Sequence, residues 1–216
     1  ARLPGSQKGT RGISLFLVPK FLSSSDGKIG QRNSLMVTAL EDKMGLHGSP
    51  TAVMEYKDAT GWLVGKPNEG MNAMFTMMNN ARLGVAVQGL SQAERALQKA
   101  LKHSKERKQG RPQIGQGTGT IIDHADVRKN LLRMKALTVV SRSLCLDTAI
   151  SIDFAKLSGS SVHMDRAAFL IPIAKAFSTH NGCRVSDIGI QVHGGLGFIE
   201  SSGAPQFYRD VRITTI

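Results

Sequence analysis

The stretch "MNAMFTMMNNARLGVAVQGLSQAERALQKALKHSKERKQG", residues 71–110, decides the fold, because its apolar residues recur every three or four positions. This spacing is typical of a helix with one buried stripe. It predicts a single helix of roughly 40 residues that ends at "QGRP", residues 109–112. Gly84 and Gly89 lie inside it, although glycine costs about 1 kcal/mol relative to alanine in a helix. We therefore expect a neighbouring helix or a ligand to approach closely at both glycines.

Three more helices are predicted downstream. The second opens at Asp123, with Asp126 three residues later in a variant of the capping box. The third runs from about residue 165 to 182 and contains Pro172, where we expect a kink. The fourth runs from about residue 184 to 193. Long helices joined by short loops favour an antiparallel bundle. The predicted buried side of the second helix consists of Val127, Leu131, Met134, Thr138, Cys145, Ala149 and Ile152.

Residues 1–66 have the pattern of an antiparallel β domain. Short apolar runs rich in β-branched residues alternate with turn formers such as "SSSDGKIG". We expect this part to be mostly strand, with one covered face and no strand pairing with the helical part. The predicted fold class is therefore α+β, with a β domain over residues 1–66 followed by a helical bundle over residues 67–216. The predicted strands are 13–19, 35–41, 52–56 and 61–65.

Composition narrows the class of function. The chain has 216 residues with a formal charge of +12, and 41% of its residues are hydrophobic. These proportions are ordinary for a globular protein, and no apolar run approaches the roughly 18 residues that span a membrane. The two cysteines form no CxxC motif, which predicts free thiols. The six histidines lack ligand spacing, so we infer no metal.

The densest basic stretch is "KALKHSKERKQGR", residues 99–111. It has three interpretations: a solvated helix face, a site for an anionic cofactor or substrate, or a nucleic-acid surface. Aromatic residues make up 5% of the chain, so stacking platforms for bases are scarce and nucleic acid is disfavoured. Arg107 in this stretch could clamp a diphosphate with two parallel hydrogen bonds.

Two further features allow a structural and a functional interpretation. In "IGIQVHGGLGFIE", residues 188–200, the paired glycines could cap a helix or let the backbone approach a phosphate or a flat ring. The Gln191 amide would supply a donor and an acceptor there. Arg82 lies among apolar helical neighbours, where an arginine needs a partner. That partner could be a salt-bridging residue in the same helix or in a neighbouring helix.

Five motifs in order closely resemble the acyl-CoA dehydrogenase family, and within it the 3-methylmercaptopropionyl-CoA dehydrogenase branch. They are "KMGLHGSPT" (43–51), "GKPNEGMNAM" (65–74), the segment 79–112, "IQVHGGLGF" (190–198) and "YRDVRI" (208–213). The resemblance covers nearly the whole chain. It implies the latter part of the family's middle β domain, then a truncated C-terminal helical domain. The family's N-terminal helical domain would precede Ala1.

The resemblance implies FAD as cofactor and acyl-CoA as substrate. Members form the 2,3-enoyl-CoA by removing the α-proton with a carboxylate while a hydride passes from the β-carbon to the flavin. It further implies a homodimer or homotetramer, electron-transfer flavoprotein as acceptor, and a cytoplasmic location in a bacterium or the mitochondrial matrix in a eukaryote. The implied substrate is 3-methylthiopropanoyl-CoA or a short- or medium-chain acyl-CoA.

The resemblance also assigns residues, by their matching motif positions. The residues implied to reach a neighbouring subunit's FAD at its ADP part are Arg107, Gln109, Gln191, Val192, His193, Gly194 and Gly195. Asn79 and Arg82 are implied to lie by the acyl-CoA. Many relatives carry an aromatic residue before the glycine matching Gly110, whereas this chain reads "RKQG" and is one residue shorter there.

No catalytic residue is expected within the chain. In most members the base is the glutamate of a Tyr-Glu-Gly sequence, which would begin directly after Ile216. Other members place the base at the position of Ala81, which cannot take a proton. We therefore expect residues 1–216 alone to be inactive as a dehydrogenase. The alternatives are a non-catalytic CoA- or flavin-binding assembly subunit of the same fold and a basic nucleic-acid-binding module.

Overall fold

The computed structural model describes residues 1–111 and 117–216. Pro112, the last residue of the third motif, lies outside the described residues. The chain divides into two compact units, Ala1–Asn80 and Ala81–Ile216. The last strand ends at Val64 and helix α1 spans Gly70–Glu106, so the change from strand to helix falls between residues 64 and 70. The α+β fold class is confirmed; the domain boundary at residue 66 stays a prediction.

The N-terminal unit contains short antiparallel strand pairs. In the described residues these are β1 with β6, β2 with β3, and β4 with β5. The expectation of mostly strand is wrong, because turns and loops take up more of residues 1–66 than the strands do. Strands β2 and β3 were not predicted, and they flank the predicted turn "SSSDGKIG" as a hairpin. The strands are β1 Leu15–Leu17, β2 Phe21–Ser23, β3 Ile29–Arg32, β4 Leu35–Leu40, β5 Ala52–Tyr56 and β6 Trp62–Val64.

Asn33 joins three backbone segments of this unit. Its side chain is 5% exposed. The amide nitrogen donates to the carbonyl oxygens of Pro19 at 3.0 Å and Thr60 at 2.7 Å. The amide oxygen accepts from the backbone N–H groups of Thr60 and Ser34, both at 2.9 Å. The side chain therefore satisfies backbone groups that these loops cannot pair with a neighbouring strand.

Replacing Asn33 should destabilise this unit selectively. In Asn33→Ala, buried backbone groups lose their partners, which costs about 1–3 kcal/mol. Trp62 is the one tryptophan of the chain and lies in β6, so urea unfolding followed by its fluorescence reports on this unit. The exposed Asn72→Ala is the matched control and should leave the transition nearly unchanged. Equal transitions for the two variants would contradict the role of Asn33.

Three more helices follow in the described residues 117–216: α2 Ala125–Ser158, α3 Ser161–His193 and α4 Ala204–Arg212. The prediction that Asp123 opens the second helix is wrong. Asp123 lies in a 3-10 turn, and its carboxylate accepts from the Thr118 hydroxyl at 2.9 Å and from the Gly119 N–H at 3.1 Å. His124 occupies the N-cap position instead.

The predicted third and fourth helices are one helix. Helix α3 is continuous through Pro172 and Gly182. A glycine such as Gly182 weakens a helix when it is judged from sequence alone. Packing of α3 against α1 overrides that preference, because the two helices can approach closely only where Gly182 has no side chain.

Close packing of α1 against α3 explains two of the glycines. A Cβ on Gly89 would lie 2.8 Å from the Cα of Thr179, and one on Gly182 would lie 2.7 Å from the carbonyl oxygen of Gly89. The expected close approach is thus confirmed at Gly89. At Gly84 no atom of the described residues lies within 4 Å of an added Cβ, so no described helix approaches there, and approach by a ligand stays a prediction.

The core of the C-terminal unit continues from this crossing. Small residues on α1, Ala93, Ala96 and Ala100, pack with Met134 of α2 and Val185 of α3. Of the predicted buried side of α2, Leu131, Met134, Thr138 and Cys145 are buried, and the other three are partly buried.

Both cysteines are free thiols, as predicted. Burial raises the pKa of Cys145 and that of Cys183, so both stay protonated near neutral pH. Within the described part of the chain, no helix has the length and apolarity needed to cross a membrane.

Candidate functional site

A cavity of about 810 Å³ lies where α1 and α3 end and α2 begins. All seven residues implied to bind the cofactor line it: Arg107, Gln109, Gln191, Val192, His193, Gly194 and Gly195. The fold thus brings together two motifs that are more than 80 residues apart in sequence. Their role toward FAD stays a prediction.

The end of α1 presents Arg107 on a fixed backbone. The N–H of Arg107 donates to the carbonyl of His103 at 2.9 Å, and its own carbonyl accepts from the N–H of Ile121 at 2.8 Å. The Lys108–Thr120 bridge continues this antiparallel pairing. The guanidinium is exposed and donates to the side-chain oxygen of Gln109 at 3.2 Å. Its remaining N–H groups can therefore meet an anion in the cavity.

His124 supports the turn after Arg107, a role that the sequence analysis missed. Its Nε2 donates to the carbonyl of Gln109 at 2.9 Å, since a carbonyl can only accept. Gly110 has a φ of 71°, and a Cβ there would lie 3.1 Å from the imidazole carbon of His124. A ring from the start of α2 thus packs beside the shortened "RKQG" turn. Local sequence gave no signal for this contact, because residues 111–123 separate the two sides.

The glycine turn after α3 supports both interpretations of its motif. Helix α3 ends at His193, and the N–H of Gly194 donates to the carbonyl of Gln191, which caps the helix. Gly194 has a φ of 60° and a ψ of −140°, a backbone region that residues with a Cβ rarely adopt. Gly195 also lines the cavity, and an added Cβ on either glycine would have open space within the described residues. The turn therefore exposes backbone to a ligand as well as ending the helix.

Two alanine variants test whether the backbone of Gly194 is strained. Gly194→Ala forces a side chain into the disfavoured region and should destabilise the chain by about 1–3 kcal/mol. Gly195→Ala adds the same methyl group at the next residue, which has no positive φ, and should leave thermal stability nearly unchanged. Thermal unfolding followed by circular dichroism measures both. A larger loss for Gly195→Ala would contradict the assignment of strain to Gly194.

Two histidines stack in the cavity wall. The rings of His103 and His193 lie 4.5 Å apart with an interplanar angle of 18°. Nδ1 of His193 donates to the carbonyl of Gly189 at 2.7 Å. Burial lowers the pKa of His103, and the neighbouring His193 lowers it further. Burial also lowers the pKa of His193, and the positive charge of Lys99 adds to that decrease. Both imidazoles are therefore neutral near pH 7.

His103 is absent from the sequence-based assignment. The sequence could have indicated His103 by its spacing, because it precedes Arg107 by four residues and residues four apart lie on the same face of a helix. Six basic residues surround this histidine in the stretch 99–111, so the local composition indicates a charged surface and gives no sign of a stacked imidazole.

The residues implied to bind acyl-CoA lie elsewhere on α1. Asn79 is exposed and Arg82 is partly buried, and both take part in contacts within the structure. Arg82 precedes Arg107 by 25 positions, which is about 38 Å along a helix at 1.5 Å per residue. The two predicted sites are therefore separate regions of one helix. The role of Asn79 and Arg82 stays a prediction.

Comparison with known proteins agrees with this architecture. Residues 68–216 match the family described as acyl-CoA dehydrogenase, C-terminal domain. A 3-methylmercaptopropionyl-CoA dehydrogenase of Ruegeria pomeroyi is 48% identical, covering 100% of this chain and 38% of that protein. A butyryl-CoA dehydrogenase of Syntrophomonas wolfei is 34% identical over the same shares. The structure of Caenorhabditis elegans ACDH-11 in complex with C11-CoA has a TM-score of 0.84 and 25% identity, covering 97% of this chain and 34% of that one.

Short antiparallel sheets followed by a bundle of long helices define the class of the fold, which is that of the C-terminal part of acyl-CoA dehydrogenases. The chain belongs to the acyl-CoA dehydrogenase family. The predicted similarity to the 3-methylmercaptopropionyl-CoA dehydrogenase branch is confirmed by the 48% identity. The chain spans about 38% of the length of these curated relatives.

Proposed function

We propose that the chain is part of an FAD-dependent acyl-CoA dehydrogenase and that its cavity binds the ADP part of FAD. One observation carries this proposal: the seven residues implied by the family motifs line a single cavity. When bound there, FAD would supply the acceptor for the hydride that leaves the β-carbon of the acyl group as a carboxylate removes the α-proton.

The cavity residues fit a dinucleotide diphosphate. Arg107 supplies a permanent positive charge in a fork geometry that matches phosphate oxygens. Gln191 and Gln109 supply amide groups that can donate to a ribose or phosphate oxygen or accept from an adenine amino group. Gly194 and Gly195 leave room for a ligand to approach the backbone. In this proposal Gln109 and His124 hold the arginine turn in place, and the chain's own residues bind and orient the nucleotide.

We infer that the substrate is a short acyl-CoA, with Asn79 and Arg82 near its CoA part. The two curated relatives are named for 3-methylmercaptopropionyl-CoA and butyryl-CoA, which are similar in acyl length. The ACDH-11 structure contains a C11 acyl-CoA, so the family fold also accommodates longer chains. By the same resemblance, electron-transfer flavoprotein accepts the electrons, the assembly is a homodimer or homotetramer, and the enzyme works in the cytoplasm if its source is bacterial.

The direct test uses the protein expressed from its complete gene. We expect a visible flavin spectrum after purification and bleaching of that spectrum by 3-methylthiopropanoyl-CoA or butyryl-CoA. A panel that extends to octanoyl-CoA and longer chains measures the preference for acyl length. Flavin that no acyl-CoA reduces would refute the proposal and favour the non-catalytic assembly subunit. Absence of flavin would also refute it, and together with steeply salt-dependent binding to DNA it would favour the nucleic-acid-binding module.

A further inference from the structure

The proposed function gives no role to the stacking of His103 against His193 in the cavity wall. His103 has no assignment, and His193 was assigned by its position in the glycine motif. Both side chains line the cavity that contains Arg107. At a ring separation of 4.5 Å, two positive charges would repel each other strongly, so the pair carries at most one proton near neutral pH.

The surroundings of the pair decide when that proton binds. On α1, Lys99 and Arg107 oppose protonation of His103, whereas Glu106 favours it. On α3, the carbonyl of Gly189 favours protonation of His193. His124 and Asp126, at the start of α2, line the same cavity. Burial and the neighbouring cations outweigh the favourable contributions, which leaves the free pair neutral.

The hydrogen bonds identify the atom of His193 that can change protonation. A carbonyl oxygen only accepts, so Nδ1 of His193 carries the hydrogen that it donates to Gly189. Nε2 therefore holds a lone pair in the neutral ring and gains the proton in the cationic ring. A cationic ring beside Arg107 would present a second positive group to an anion in the cavity.

We propose that His103 is a further residue of the dinucleotide site, and that the His103–His193 pair binds the diphosphate of FAD as a single cation, taking up one proton as the dinucleotide binds. This inference rests on the proposed function of the cavity. The negative charges of the diphosphate offset the repulsion from Lys99 and Arg107. The protonated pair and the bound diphosphate therefore stabilise each other.

The sign of the pH dependence follows from linkage. Bound diphosphate raises the pKa of the pair above its value in the free protein. The affinity for FAD therefore increases as pH falls through the pKa of the complex, and it levels off below the pKa of the free pair. Uptake of one proton limits the increase to about tenfold per pH unit.

The experiment measures FAD binding to the flavin-free protein expressed from its complete gene, between about pH 5.5 and 8, a range in which the diphosphate of FAD does not titrate. We expect the association constant to rise as pH falls. Calorimetry in two buffers of different ionisation enthalpy counts the protons taken up by the unaltered protein. Riboflavin lacks the diphosphate, and its binding should not depend on pH in this range.

The double variant His103→Gln/His193→Gln should lose the pH dependence of its FAD affinity. The matched control is His180→Gln on α3, the helix that contains His193. Nδ1 of His180 donates to the carbonyl of Ala176, four residues earlier, at 2.8 Å, as Nδ1 of His193 does to Gly189. This control should keep the full pH dependence.

Three outcomes would overturn the inference. FAD affinity that is independent of pH, or no proton uptake by the unaltered protein, would remove the pair from the site while leaving the proposed function in place. A pH dependence that persists in the folded double variant would assign it to other groups. Failure of the unaltered protein to bind FAD at every pH would refute the proposed function and this inference together. The absence of proton uptake in the buffer comparison needs no variant, so that result would overturn the inference even if the double variant does not fold.

Discussion

The Gly89→Ala variant should unfold at lower urea concentration than the parent chain, with a net loss of up to about 2 kcal/mol in the free energy of unfolding. The new Cβ would lie 2.8 Å from the Cα of Thr179 and 2.9 Å from the carbonyl oxygen of Ser178. These are backbone atoms of α3 and cannot rotate away. Overpacking of this kind costs about 1–3 kcal/mol, which outweighs the roughly 1 kcal/mol that alanine gains over glycine in a helix.

The same change five residues earlier provides the control. Gly84 lies on the same helix in open space, so Gly84→Ala should stabilise the chain by up to about 1 kcal/mol. Urea unfolding followed by far-ultraviolet circular dichroism measures both variants. Effects of the same sign would contradict the close crossing of α1 and α3. Because Gly182 faces the carbonyl of Gly89, the Gly89→Ala/Gly182→Ala double variant should lose less than the sum of the single variants.

Helical periodicity predicted the long helices better than helix propensity did. The apolar stripe of α1 extends through two glycines, and the structure follows the stripe. Gly182 and Gly89 show why propensity misled: each is unfavourable locally, yet each permits a contact with a segment about 90 residues away. The spacing of residues within α1 or α3 contains no information about how closely the other helix approaches. The division of α3 at Gly182 was therefore an error that only tertiary contacts could correct.

The β unit was harder to predict because its strands are short. Strands of three or four residues, such as β2 and β3, are too short for the alternation of apolar and polar residues to be recognised in the sequence. Loops there are held by side chains such as Asn33, whose partners at Pro19 and Thr60 lie 14 and 27 residues away. A polar residue within a turn-rich stretch is ordinary in sequence, and its burial becomes evident only in the fold.

The candidate site was predictable to the extent that it lies in contiguous motifs. Residue type singled out Arg107 and the Gln191–Gly195 turn, the family resemblance gave their expected role toward FAD, and the fold places them in one cavity. His103 and His124 were missed for different reasons. His103 is hidden within a basic stretch, and its stacking partner is 90 residues away. His124 reaches Gln109 from across a connecting segment, which local sequence could not indicate.

Arg107→Ala should weaken FAD binding by about 10- to 150-fold in the protein expressed from its complete gene. The guanidinium is exposed at the end of α1 and lines the cavity. Loss of its hydrogen bonds to a charged diphosphate removes about 1.5–3 kcal/mol of binding free energy. Arg107→Lys keeps the charge but loses the planar fork, and we expect an intermediate affinity. Equilibrium titration of the flavin-free protein with FAD, followed by flavin fluorescence, measures all three proteins.

Two controls separate a specific contact from a general effect of charge or folding. Arg95 is exposed on the same helix, three turns before Arg107, and Arg95→Ala removes the same charge outside the cavity. It should leave FAD affinity within about twofold of the parent, since exposed charges at such distances are screened by salt. Thermal stability should change little in either variant, because Arg107 is exposed and its side-chain bond to Gln109 is local. Equal losses of affinity for Arg95→Ala and Arg107→Ala would contradict a specific contact between Arg107 and the diphosphate. They would show instead that the net positive charge attracts the dinucleotide to this end of the bundle.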